Sequence, residues 1–146
     1  MKVFRLAKSK YINDLSGEGA KINGGRWNLE GIPCVYVGST RALCVLEFTV
    51  HVKKEERPEN LAFAEIIIPK CKILKLDVEN LPADWFNQII SQKIVSEILI
   101  QNEYLLIQVP SIIIPEEHNY ILNPLHPKAK NVHIEKIYDF MIDKRI

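Results

Sequence analysis

Apolar and polar positions along the chain fall into short alternating runs separated by turn residues, with two longer stretches of helical period. Lys2–Leu6 alternates and predicts a strand with Val3 and Arg5 on one face and Phe4 and Leu6 on the other. From residue 7 to residue 28 the pattern turns polar and glycine-rich. It predicts a long loop ending in Asn23-Gly24-Gly25-Arg26-Trp27-Asn28. Loops of that length in compact domains are usually functional or disordered, and its lead into this turn favours function. Gly31-Ile32-Pro33 is a turn, Cys34–Val37 a buried strand, and Gly38 its end. Ser39 is then the expected N-cap of a helix running to about His51. Between Arg41 and His51 only Glu47 and Thr49 interrupt the apolar residues, so most of this helix is predicted to be buried.

Leu61–Pro69 and Lys72–Leu76 read as strands by alternation. Pro82 stands at a first helical position, with Ala83–Ile90 following, and a second helix covers about Lys93–Gln101. Trp85 is expected as a core anchor. Tyr104–Val109 is a strongly apolar strand ending at Pro110-Ser111. Asn119–Pro127 is punctuated by prolines and asparagines that supply turn chemistry. Val132–Phe140 closes the pattern as one or two strands. No repeat, linker or low-complexity segment divides the chain, so residues 1–146 form one expected domain. Strands and helices do not alternate strictly, which predicts an α+β fold over a doubly wound parallel sheet.

Composition adds mainly exclusions. The net charge of +1 offers no electrostatic case for nucleic acid or an anionic membrane, so any phosphate recognition has to be local. The first eight residues are too charged for a signal peptide, and no apolar run is long enough to span a bilayer. Cys34, Cys44 and Cys71 are odd in number and lack paired metal-ligand spacing. They read as buried thiols of a cytoplasmic protein. The four histidines, His51, His118, His126 and His133, show no metal-binding spacing either, so no metal is expected.

Candidate chemistry concentrates at a few positions. Arg26, Trp27 and Asn28 follow two glycines and can grip a phosphate, stack on a flat ring and donate hydrogen bonds. Glu47 falls on the same helical side as Leu43, Leu46 and Val50, where a lone carboxylate is costly unless paired or used. No Lys or Arg lies three or four residues away, so its expected partner is distant, with Arg26 or Arg5 as candidates. Ser111 beside His118 or His126 invites a hydrolase triad, but Val-Pro-Ser-Ile lacks the Gly-x-Ser-x-Gly elbow. No Gly-x-Gly-x-x-Gly follows a strand, so a Rossmann mode of dinucleotide binding is excluded.

Several blocks taken together resemble the RES-domain family: Gly17-Glu18-Gly19-Ala20, Gly24-Gly25-Arg26-Trp27-Asn28, Val35-Tyr36, Leu46-Glu47, Val109-Pro110-Ser111 and Asn119 through Pro127. The likeness spans nearly the whole chain in the expected order, with residues 55–101 carrying little of it. Ser96-Glu97 stands where the family often has Gly-Asp. The Arg, Glu and Ser that name the family match Arg26, Glu47 and Ser111.

The resemblance implies an ADP-ribosyltransferase-like split sheet with flanking helices. It implies a toxin that consumes NAD⁺ as substrate, needs no further cofactor, and is covered at its active site by a helix-turn-helix antitoxin. It also allows a homodimer within that complex. On this reading Glu47 stabilises an oxocarbenium-like transition state, Arg26 binds the pyrophosphate and Ser111 orients the ribose. Arg5, Trp27, Tyr36 and Asn119 complete the NAD⁺ pocket. The residues leave open whether the acceptor is water, phosphate or a macromolecule. They also leave open a non-catalytic module in which an Arg–Glu pair is only a structural bridge.

Overall fold

The computed structural model describes residues 1–146. Its strands are β1 (Lys2–Lys8), β2 (Val35–Gly38), β3 (Leu61–Ile67), β4 (Ile73–Lys75), β5 (Leu106–Pro110), β6 (His118–Leu122) and β7 (His133–Phe140). Its α-helices are α1 (Glu18–Asn23), α2 (Arg41–His51) and α3 (Gln88–Gln101). The strands form one seven-stranded sheet in the order β4-β5-β6-β2-β1-β3-β7. Only β4 and β5 pair in parallel; the other pairings are antiparallel. This is the α+β class expected from the unalternating pattern.

The sheet is nearly split in the middle. β1 pairs with β3 along its whole length, but it meets β2 only at Phe4↔Gly38. Gly38 is required there, because a Cβ would stand 2.6 Å from the Cys44 sulfur of α2. Alternation then sorts the core. Tyr36, Ile121 and Ile107 stand in register across β2, β6 and β5, so they share one face. On that face Ile107 and Ile121 join Trp27, Trp85, Val95 and Leu99 under α3. The opposite face carries Val3, Val35, Val37, Ala64, Ile66, Leu106 and Leu122. Where β1 and β3 lie beside α2, buried Glu65 accepts from Lys2 Nζ at 2.9 Å and Arg41 Nη2 at 2.7 Å, with Arg41 over the Phe4 ring.

Some elements differ from the sequence expectation. The N-cap of α2 is Thr40 rather than Ser39, its Oγ1 accepting the Leu43 N–H at 3.1 Å. α2 is also less buried than its composition suggests, with Leu43 its one fully buried residue and Val50 57% exposed. It flanks an open cleft, which takes the place of packed protein along one side. The helix expected at Pro82 is a set of turns, closed by Trp85 N–H to Pro82 O at 3.0 Å and Asn87 N–H to Asp84 O at 2.9 Å. Asn87 then caps a single helix, α3, in place of the separate one expected from Lys93. A capping asparagine competes with helix continuation, and here it wins. The glycine-rich loop contains α1, and the first half of Asn119–Pro127 lies in the interior strand β6. No helix is long and apolar enough to cross a membrane.

Candidate active site

A cavity of about 480 Å³ opens at the seam of the sheet. Its walls come from α1, the Gly24–Trp27 turn, the facing ends of β1 and β2, α2, and Asn119 of β6. The size suits a small-molecule ligand.

Glu47 projects from α2 into this wall, and its side chain is 22% exposed. Its Oε1 accepts two hydrogen bonds of 2.7 Å, from Ser111 Oγ and from Asn119 Nδ2. Its Oε2 stands 3.9 Å from His51 Nε2, one helical turn on. The expected partner was Arg26 or Arg5; the structure supplies neutral donors instead. Two such donors satisfy the carboxylate without cancelling its charge.

Ser111 follows Pro110 at the end of β5 and is 1% exposed. Its Oγ also accepts the N–H groups of Ile113 and Ile114, at 3.1 and 3.2 Å, which turns the chain away from the sheet. Its hydroxyl hydrogen is therefore committed to Glu47, and Ser111 lies behind the cavity wall. Ser111 is expected to orient a ribose; in the fold its hydroxyl is bonded to Glu47. Asn119 lines the cavity and stands opposite Gly38 in the β2–β6 register, which aims it across the seam at Glu47.

Arg26 is held from below. Its Nη2 donates to the carbonyls of Trp85 and Phe86, at 3.0 and 3.4 Å. The guanidinium lies over Trp27 at 4.9 Å and near Trp85 at 5.9 Å. Its Nη1 is buried with no hydrogen-bond partner. Burial, above all, lowers the Arg26 pKa from its ordinary value. An orphaned cationic N–H at a cavity wall is costly and calls for an anion. Trp27 is only 3% exposed and stacks on Trp85, with centroids 6.0 Å apart and planes 13° apart. It is the floor beneath Arg26 more than an open stacking platform.

Tyr36 is similarly committed. Its hydroxyl accepts the Trp27 N–H at 2.9 Å and donates to Asn28 Oδ1 at 2.6 Å, and burial pushes its pKa up. Gly25 fits against it only because it has no Cβ, which would stand 2.5 Å from the hydroxyl. Arg5 lines the cavity, with Nη1 on the carbonyls of Tyr11 and Ile12 at 3.2 Å and Asp14 at 2.5 Å. Cavity residues that sequence reasoning missed include His51, Phe48 and Cys44. His51 had a signal, its i+4 spacing from Glu47.

A polar stripe on α3 also went unread. Gln88 and Gln92 both donate to the Gly25 carbonyl, at 3.3 and 2.6 Å, and Ser96 Oγ accepts the Leu29 N–H at 2.9 Å. Ser91 donates to the Trp85 carbonyl that also takes Arg26. Their spacing of 88, 92 and 96 was the available signal.

A comparison with known families matches the RES domain over residues 2–143. The chain belongs to the RES-domain family. A relative named toxin Res, from Photorhabdus laumondii, is 40% identical over 151 residues, covering 100% of this chain and 97% of that protein. The Prs ADP-ribosylating toxin of a Sphingobium species is 38% identical over 146 residues, covering 96% and 91%. In fold, this RES domain resembles a chain of the M. tuberculosis MbcT–MbcA toxin–antitoxin complex, with a TM-score of 0.74 at 18% identity over 96% of this chain and 84% of that one. Ser96 ties α3 to Leu29, three residues after Arg26.

Proposed function

We propose that this RES-domain protein is the toxin of a toxin–antitoxin pair and cleaves the nicotinamide–ribose bond of NAD⁺, with water or phosphate as acceptor. The observation that carries this reading is Glu47, a carboxylate at a cavity wall held by two neutral donors and paired with neither arginine. As the C1′–N bond breaks, the electron pair leaves with the ring nitrogen. Nicotinamide departs neutral, so no acid has to protonate it. Positive charge develops at C1′ and the ribose ring oxygen, as in other glycosyl cleavages. A fixed, partly desolvated carboxylate stabilises that charge. The acceptor then bonds to C1′. Water loses its proton to solvent and yields ADP-ribose; phosphate yields the corresponding 1-phosphate. Arg26 supports the same reading, because its unpartnered Nη1 suits a diphosphate oxygen.

The toxin names of the relatives and the toxin–antitoxin complex of the fold neighbour support an antitoxin partner. The family resemblance makes that partner a helix-turn-helix protein laid over the cavity, in the cytoplasm. A second reading, ADP-ribosyl transfer to a macromolecule, is favoured by the name of the Sphingobium relative. Purified protein given NAD⁺ with and without phosphate tests both. Nicotinamide release without a protein acceptor supports the first reading. Release only with cell extract, with label appearing on a protein, supports the second. No release in either condition refutes both and leaves a binding module. In cells, strong expression is expected to lower NAD⁺ and arrest growth, with rescue by the cognate antitoxin.

A further inference from the structure

A smaller cavity of about 200 Å³ opens beside the first. The two share Arg5, Leu6, Gly19, Ala20 and Tyr36, so they lie side by side. Glu47 and Arg26 line only the larger one, whereas Asp14 and Glu18 line only the smaller. A dinucleotide with its nicotinamide ribose at Glu47 would extend its adenosine end toward the smaller cavity. Arg5 marks the waist between them. Its Nη1 is spent on backbone carbonyls, while Nε and Nη2 make no hydrogen bond within the chain and remain for the diphosphate.

The loop that brings the carboxylates here is tightly seated. Gly17 has a φ of +75°, and a Cβ on it would stand 2.7 Å from the backbone nitrogen of Cys34. Asp14 accepts the Ser16 N–H on Oδ1 at 2.9 Å, and Glu18 follows one residue after Gly17. Carboxylates in this place can accept hydrogen bonds from a ribose hydroxyl, as acidic side chains do for the 2′-hydroxyl in other dinucleotide sites. They repel a phosphate at the same position, because it brings close to two negative charges.

We propose that the smaller cavity is the adenosine-ribose subsite and that Asp14 and Glu18 select NAD⁺ over its 2′-phosphorylated form, NADP⁺. This rests on NAD⁺ being the substrate. The test compares kcat/KM for nicotinamide release from NAD⁺ and NADP⁺ with the purified full chain. The parent protein is expected to favour NAD⁺ by roughly 10–100-fold, the scale of a like-charge clash partly screened by solvent. The double variant Asp14→Asn, Glu18→Gln keeps the Oδ1 cap on Ser16 and should bring the ratio close to one. A control pair of equal charge change, Glu59→Gln with Glu97→Gln, should leave the ratio at the parental value.

A binding arm separates this proposal from the cleavage reading. Tryptophan fluorescence titrations with ADP-ribose and with its 2′-phosphate should show the same preference and the same loss in the double variant. A parent that handles both nucleotides alike overturns the subsite. So does a double variant with an unchanged ratio, or a control pair that shifts it equally. Discrimination in binding with no nicotinamide release overturns the cleavage reading and upholds the subsite. Failure to bind either ligand overturns the subsite, while nicotinamide release alone decides the cleavage reading.

Discussion

Glu47→Gln separates a catalytic carboxylate from a structural one, and the geometry fixes what each case predicts. The amide keeps an oxygen at Oε1 that can still accept from Ser111 and Asn119, so both hydrogen bonds survive in neutral form. Each bond to a charged acceptor contributes roughly 1 kcal/mol more than its neutral counterpart. The variant should thus lose about 1–2 kcal/mol of stability, a fall in Tm of about 2–8 °C for a domain of this size. The catalytic loss is set by a different quantity. A full charge about 4 Å from a cationic centre is worth about 4 kcal/mol at an effective dielectric of 20. That corresponds to a rate effect of roughly 10³-fold. Losing one preorganised electrostatic group usually costs roughly 10²–10³-fold, in agreement. NAD⁺ affinity should change far less, since the charge at C1′ grows only on the way to the transition state. Thermal melting, NAD⁺ titration and nicotinamide release on one preparation give all three values. A folded Gln variant with the parental turnover would refute the role given to Glu47.

Ser111→Ala removes a donor to Glu47 and the acceptor for two backbone N–H groups, so it should lower kcat by roughly tenfold with KM nearly unchanged and melt lower by several degrees. A raised KM with unchanged kcat would return Ser111 to direct ligand contact. Arg26→Lys cannot bridge the Trp85 and Phe86 carbonyls and still present N–H groups to a diphosphate, so KM should rise by at least about tenfold with the fold intact; parental KM would exclude the phosphate role. Glu65 is held at about 2 by its hydrogen bonds to Lys2 and then Arg41, below its ordinary 4.5. Its contribution is therefore complete above about pH 4.5 and is lost as pH falls through about 2. The gap in urea midpoint between parent and Glu65→Gln should be full at neutral pH and shrink across that acid window. A gap constant down to pH 2 would contradict this.

What could be read from the sequence was local. Alternation placed β1 and β2, and the apolar run from Leu43 identified a helix with one carboxylate that needed a distant partner. The identity of that partner was not legible, because Ser111 and Asn119 lie 64 and 72 residues away and meet Glu47 only through the strand order. Spacing along one helix cannot report on a register set between β2, β5 and β6. Helix ends failed for a related reason. By composition Ser39 has the better claim to cap α2 than Thr40, and backbone geometry decides against it. Asn87 was hidden behind Pro82, the stronger start signal. The stripe of Gln88, Gln92 and Ser96 reads as a solvated helix face until the Gly25–Leu29 turn is laid on it.

The separation of Arg26 from Glu47 has a chemical consequence. The two charges interact, and Glu47 is among the groups that favour the protonated form of Arg26. Yet Arg26 spends Nη2 on the Trp85 and Phe86 carbonyls and its face on two indoles, while Glu47 takes its bonds from a hydroxyl and an amide. Had the pair closed into an ion bridge, the carboxylate would be neutralised by a permanent partner. It would then have little left for a cation that exists only transiently. The guanidinium would likewise be lost to an incoming phosphate. Neutral hydrogen bonds hold each group in position without cancelling it. Ser91 and the Trp27–Trp85 stack brace the groups that hold Arg26, while Ser111 and Asn119 hold Glu47, so the two charges keep separate partners.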